Sequence, residues 1–124
     1  MILADTSVWV DYFRKTTTAV DEKMKEYLTA RQVCALSVVF GELLQGVRDD
    51  REEKIVLEFW VNLPHMEEDG LFIDAGRLSY QNKLHTKGVG LIDCVILAAA
   101  KRYQLEVWTN DKKLLQAHKA LKLL

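Results

Sequence analysis

Proline occurs once in this chain, at Pro64, and there is no internal repeat, low-complexity tract or flexible linker. That excludes a string of separate modules and predicts one domain over residues 1–124, long enough to bury about two-thirds of its unfolded surface. Cysteine occurs twice. Cys34 and Cys94 both lie in apolar runs and form no C-x-x-C, so they read as buried, reduced thiols of a cytoplasmic protein. No apolar run approaches the ~18 residues of a membrane-spanning helix. The N-terminus lacks a basic region and a cleavage-like site, so a signal peptide is not expected. The histidines, His65, His85 and His118, show no ligand spacing, which points away from zinc. There is no G-x-S-x-G for acyl chemistry and no Gly-rich loop followed by Lys-Ser/Thr for nucleotide phosphates.

What remains is ordinary in bulk and uneven in detail. Apolar residues make up 49% and charged residues 28%, as in a globular protein. The net charge of −1 conceals a division. Residues 1–82 hold nine Lys/Arg against fifteen Asp/Glu, a net −6, whereas residues 83–124 hold eight against three, a net +5. The basic third suits a polyanion and the acidic part a basic partner, although solvated helix faces would produce the same count.

Four acids occupy apolar surroundings. Asp5 closes Met1-Ile2-Leu3-Ala4. Glu42 lies within Ala35–Val47. Asp93 is the only charged side chain in Leu91–Ala100. Asp111 follows Leu105–Asn110. A lone carboxylate away from water is costly and needs a partner. Hard divalent cations answer that need when several carboxylates meet. Each acid has a plainer reading as well. Asp5 and Asp111 are natural helix caps, Glu42 could reach solvent at a helix edge, and Asp93 could be a first-turn charge favoured by the helix dipole. The dipole does not explain why the surroundings of Asp93 are so apolar.

The periodicity predicts strands at Ile2–Ala4, Val33–Leu36, Leu71–Ile73 and Glu106–Trp108, with a last edge strand at Leu121–Leu124. It predicts helices at Thr6–Phe13, Val20–Ala30, Val38–Val47 capped by Ser37, Arg51–Asn62, Ala75–Thr86 capped by Asp74, and Leu91–Tyr103. A final helix starts at Asn110 or Asp111 and runs to about His118. Pro64–Gly70 and Lys87–Gly90 read as loops. Asp11 reads as a solvated helix residue. Alternating strands and helices imply an α/β fold, a mostly parallel sheet with helices on both faces. In such folds sites lie beyond the carboxyl ends of the strands, where Asp5 and Asp111 fall, and Glu42 and Asp93 could project there from helices.

Ile2-Leu3-Ala4-Asp5-Thr6-Ser7-Val8-Trp9 resembles the first motif of PIN-domain ribonucleases, particularly the VapC toxins of toxin–antitoxin pairs. Ser37-Val38-Val39-Phe40-Gly41-Glu42-Leu43-Leu44-Gln45-Gly46 is similar to the second motif. Gly88 to Ala100, around Asp93, is similar to the third, and Trp108-Thr109-Asn110-Asp111-Lys112-Lys113-Leu114 to the fourth. All four stand in order across residues 2 to about 115. One departure is that Lys113 and Leu114 stand where the last motif often has a second acid and Phe, which leaves the number of metals open.

The resemblance implies a three-layer PIN-like sandwich and cleavage of RNA dependent on Mg²⁺ or Mn²⁺. Asp5 and Asp93 would be the principal metal ligands. Glu42 and Asp111 would complete the acidic pocket, and Ser7, Thr109 and Asn110 would orient ligands or waters. Arg14, Lys15, Lys83, Lys87, Lys112 and Lys113 are candidates for gripping the RNA backbone. The resemblance also implies homodimerisation and a cognate antitoxin, for which the helices Val20–Ala30 and Arg51–Asn62 could frame an apolar groove. An inactive PIN-fold interaction module is the alternative, and the four intact acids argue against it. A receiver-type signalling domain would want a second acid beside Asp5, where Thr6 stands. An aspartyl phosphatase would want D-x-D-x-T, which Asp5-Thr6-Ser7 does not supply.

Overall fold

A computed structural model describes residues 1–122. Strand β1 (Ile2–Ala4) runs into helix α1 (Thr6–Arg14), followed by α2 (Thr18–Thr29), α3 (Ser37–Gln45), α4 (Asp50–Asn62) and α5 (Leu71–Asn82). A 3-10 turn at His85–Lys87 leads to α6 (Leu91–Tyr103), β2 (Glu106–Trp108) and α7 (Lys112–Lys122). The expected α/β class holds, with more helix than sheet.

All strand pairing is parallel. β1 pairs with β2 in the register Ile2–Glu106, Leu3–Val107 and Ala4–Trp108. Single bridges join Ile2 to Val33 and Ala35 to His65. The expected strand Val33–Leu36 is therefore fully buried and extended but too briefly paired to count as a strand. Its backbone is still satisfied: Cys34 N donates to Ile2 O at 3.0 Å and Ala35 N to Pro64 O at 2.8 Å.

The helices begin where short polar side chains replace missing backbone partners. Asp5 caps α1, Thr17 caps α2, and Asp49 caps α4 through Glu52 N at 2.8 Å, with Asp50, Glu52 and Glu53 in the favourable first turn. Ser37 departs from expectation. It lies inside α3, and Leu36 holds the cap position without a side-chain bond. The free N-terminus is served from thirty-one residues away, where Glu68 accepts from Ser37 N at 3.0 Å and from Ser37 Oγ at 2.5 Å. Local sequence cannot reveal a cap supplied by a distant loop.

Leu71–Ile73 is not a strand but the first turn of α5. Gly70, at φ +72, turns the chain, and Asp74 N donates to Gly70 O at 3.0 Å. Leu71 is buried while Phe72 and Ile73 are 53% and 71% exposed, as a one-sided helix requires. A three-residue apolar run carries no period by which to tell the two apart. Asp74 is consequently not a cap; it sits in the first turn of α5 and pairs with Arg102 at 2.6 Å. At the C-terminus α7 continues through Leu121 and Lys122, so that part of the expected edge strand is helical. Leu123 and Leu124 lie outside the described residues.

One continuous core runs through the chain, and two parts of it are densest in large or consecutive buried side chains. Along α6, every residue from Cys94 to Ala100 is buried, packed against α5, α7 and β2. The second surrounds Trp9, which is fully buried, with ring centroids of Phe13, Phe40 and Phe59 at 5.6, 5.5 and 5.4 Å. These aromatics tie α1, α3 and α4 together. Cys34 and Cys94 are free and buried, as expected, and burial pushes the Cys34 thiol up to about 11. No helix of the described residues is long and apolar enough to cross a membrane. A cleft of about 300 Å³ lies between α1, α3 and α4, lined by Val10, Phe13, Leu43, Val47 and Ile55 together with Arg14, Arg48, Asp49, Arg51 and Glu52. Replacing Trp9 with Ala empties the hub of the aromatic cluster. The variant should lose about 3–5 kcal/mol of stability, measured by chemical denaturation.

Candidate active site

Asp5 follows β1 and Thr109 follows β2, so the parallel register sets them side by side at the carboxyl ends of both strands. Asp5 is 7% exposed and has a dense set of donors. Its Oδ1 accepts from Ser7 N at 3.0 Å, Ser7 Oγ at 2.5 Å and Val8 N at 3.4 Å. Its Oδ2 accepts from Thr109 Oγ1. The capping reading of Asp5 is therefore correct, and it does not compete with the functional one: the bonds that cap α1 also lock the carboxylate in one orientation.

Ser7 and Asn110 extend the lattice. Asn110 N donates to Ser7 Oγ at 3.2 Å, and Asn110 Nδ2 donates to Asp11 Oδ2 at 2.7 Å. Asp11, read as a solvated residue, thus anchors the segment after β2 to α1. The available signal was its spacing, one helical turn beyond Ser7 on the same face. Asp111 caps α7, accepting at Oδ1 from Lys113 N at 2.8 Å and Leu114 N at 3.2 Å, while its own N–H donates to Thr109 Oγ1 at 2.9 Å. Glu42, exposed on α3, accepts from Thr6 Oγ1 at 2.7 Å.

Asp93 is treated differently. It is half-buried in the first turn of α6, and no described residue donates a hydrogen bond to its carboxylate. Burial, and then the negative charges of Asp111, Asp5 and Glu42, push its carboxyl above the ordinary range. The charges of the other three acids picked out from the sequence therefore all reach Asp93, although the four come from the end of β1, α3, α6 and the segment after β2. Among the described residues no three His, Cys, Asp or Glu side chains are grouped tightly enough to enclose an ion by themselves. Asp5, Glu42 and Asp111 are instead each turned onto N–H or O–H donors. The chemistry of the donor set still fits a hard cation. It offers only oxygen, it carries one carboxylate without a protein donor, and Mg²⁺ takes few direct carboxylates and keeps several waters.

A raised carboxyl in the folded state means that folding favours its protonated form. The resulting penalty is absent below the unfolded value near 3.8 and grows as pH rises through the folded value. In metal-free buffer Asp93→Asn should therefore melt higher than the unaltered protein at pH 7. That advantage should shrink as pH falls towards 4, read from melting curves across pH.

Known proteins match nearly the whole chain in sequence. The PIN domain family matches residues 2–120. Ribonuclease VapC32 of Mycobacterium tuberculosis is 31% identical over 118 residues, spanning 92% of this chain and 87% of that protein. VapC ribonuclease Mb1587 of Mycobacterium bovis and Ribonuclease VapC11 of Mycobacterium tuberculosis are each 28% identical over 117 residues, spanning 90% of this chain and 87% of theirs. The strand-end carboxylates and the match along nearly the whole chain lead to one assignment: the chain belongs to the PIN-domain family, alongside the VapC ribonucleases.

Proposed function

We propose that this chain is a single-domain, VapC-type endoribonuclease toxin that hydrolyses RNA phosphodiester bonds with Mg²⁺ or Mn²⁺ and is neutralised by a cognate antitoxin. The observation that supports the reading is that Asp93 is half-buried and that the charges of Asp111, Asp5 and Glu42 all bear on it. A structural protein has no reason to bear that cost.

Asp5 and Asp93 are the proposed principal holders of the ion, with Glu42 and Asp111 acting directly or through water. Once bound, a divalent ion supplies an activated water and neutralises charge developing on the phosphate and the leaving oxygen. The residues of the chain set the geometry. Ser7 and Thr109 fix Asp5 from both oxygens, which leaves few orientations for its remaining lone pairs. Asn110, anchored on Ser7 and Asp11, holds the segment that carries Asp111 against α1. Asp93, without a protein donor, keeps its full acceptor capacity for an ion.

The same reading places the protein in the cytoplasm, which its two free, buried cysteines suit. It makes the protein a homodimer, for which exposed Phe72, Ile73, Tyr80 and Leu91 offer apolar surface. The antitoxin would seat in the cleft between α1, α3 and α4, beside Arg14, Arg48 and Arg51.

Purified protein free of antitoxin should cut a mixed pool of structured RNA in Mg²⁺ or Mn²⁺, and EDTA should stop it. Asp93→Asn should lose more than the ~10–100-fold typical of removing a group that only orients a metal ligand. Cleavage that persists in EDTA or in Asp93→Asn would overturn the assignment. Millimolar Mg²⁺ should also raise the melting temperature of the unaltered protein, because the ion binds only the folded state. This rise should be much reduced in Asp93→Asn.

A further inference from the structure

Lys113 stands in the first turn of α7, and its backbone N–H donates to Asp111 Oδ1 at 2.8 Å. Its side chain lies across Gly88 rather than extending freely into solvent. A Cβ at Gly88 would sit 2.9 Å from Nζ, 3.3 Å from Cδ and 3.5 Å from Cε. Gly88 closes the 3-10 turn at φ +78, so both the turn and the close approach call for glycine. Two constraints, one at the backbone and one along the stem, thus hold Lys113 between the segments that lead to Asp93 and carry Asp111.

The ammonium has no anion of its own. Among the described residues no carboxylate forms an ion pair with Lys113, although its own backbone N–H is bonded to the Asp111 carboxylate. Lys87 precedes Gly88 and is exposed in the same turn. A lysine whose stem is already packed has lost part of the rotamer freedom that gripping a ligand would otherwise cost. An incoming anion therefore gains the charge interaction at reduced entropic cost.

We propose that Lys113 is a positioning residue that receives a backbone phosphate of the RNA strand next to the phosphate lying at the four acids. This rests on the nuclease reading above. A nucleic-acid backbone fits better than an acidic peptide because an RNA strand places phosphates in series. One can lie at the acids with its counter-ion while a neighbour meets the ammonium. A point charge on phosphate holds the strand and reads no sequence. Lys113 thus acts on strand binding, and the chemical step is left to the four acids.

The test uses an RNA that the unaltered protein cuts in Mg²⁺, with kcat and KM measured from low to high salt. Lys113→Gln should lower kcat/KM about tenfold at ~0.1 M salt while kcat changes less than about twofold. The slope of log kcat/KM against log salt should become shallower by about 0.7, the value for one phosphate contact on a single strand. Lys113→Arg should restore the slope, because the charge is retained. Melting curves of both variants should overlay that of the unaltered protein, since the side chain is exposed. An unchanged slope and KM in Lys113→Gln, or a loss confined to kcat, would overturn the proposal and leave the nuclease reading standing. Failure of the unaltered protein to cut any RNA would overturn both, and would be seen before any variant is made.

Discussion

Asp5 N donates to Trp108 O at 3.0 Å, the last rung of a parallel pairing only three residues long. Because both strands run the same way, the residues that follow them emerge at the same end and side by side. Thr109 can then reach the Asp5 carboxylate, and Asn110 can reach Ser7 and Asp11. In an antiparallel pair the same residues would leave at opposite ends. The segments around residues 5 and 110 would share no space, and Asp111 would have no route to the other acids. The register therefore underlies the assembly of the whole site, while the extended segment at Val33–Leu36 and its bridge to His65 extend the sheet behind it.

Three of the four acids accept hydrogen bonds within the chain, and two of them, Glu42 and Asp111, are exposed, so only Asp5 among the three is buried. Asp5 caps α1, Asp111 caps α7, and Glu42 accepts from Thr6. Asp93 has no such compensation. It stands near the positive end of α6, which helps a negative charge, yet burial and three neighbouring carboxylates outweigh that help and push its carboxyl upward. The fold therefore concentrates its electrostatic strain on one residue, and it can do so because the run behind that residue, Cys94–Ala100, is so thoroughly buried that α6 stays in place. A locally unfavourable group held by a rigid neighbourhood is a common mark of a functional position.

The acids could be read from the sequence because each breaks an apolar pattern, and a break in a pattern is a local signal. The helices of the first half were legible through apolar positions at helical spacing, whereas their caps, Thr17 and Asp49, were identified by the folded chain. Three readings were not recoverable. Leu71–Ile73 has too few residues to distinguish a strand from a helical turn, and the outcome depends on packing of Leu71 and on Gly70. The cap of α3 belongs to Glu68, thirty-one positions away. Asp11 looks like any exposed helix residue until Asn110, ninety-nine positions on, is brought against it.

Composition and local pattern were enough to indicate an α/β chain, the approximate course of its helices and the buried free thiols, and to single out the four carboxylates that break apolar runs. These follow from short-range rules: which side chains avoid water, and which residues begin a helix. The partnerships were decided by the folded chain, among them Asp5 with Thr109, Glu68 with Ser37, Asp11 with Asn110, and Lys113 lying over Gly88. The physical reason is one of range. Hydrogen bonds and the steric allowance of a missing Cβ act over a few ångströms, so their partners are fixed only after strand register and helix packing have brought distant parts of the chain together.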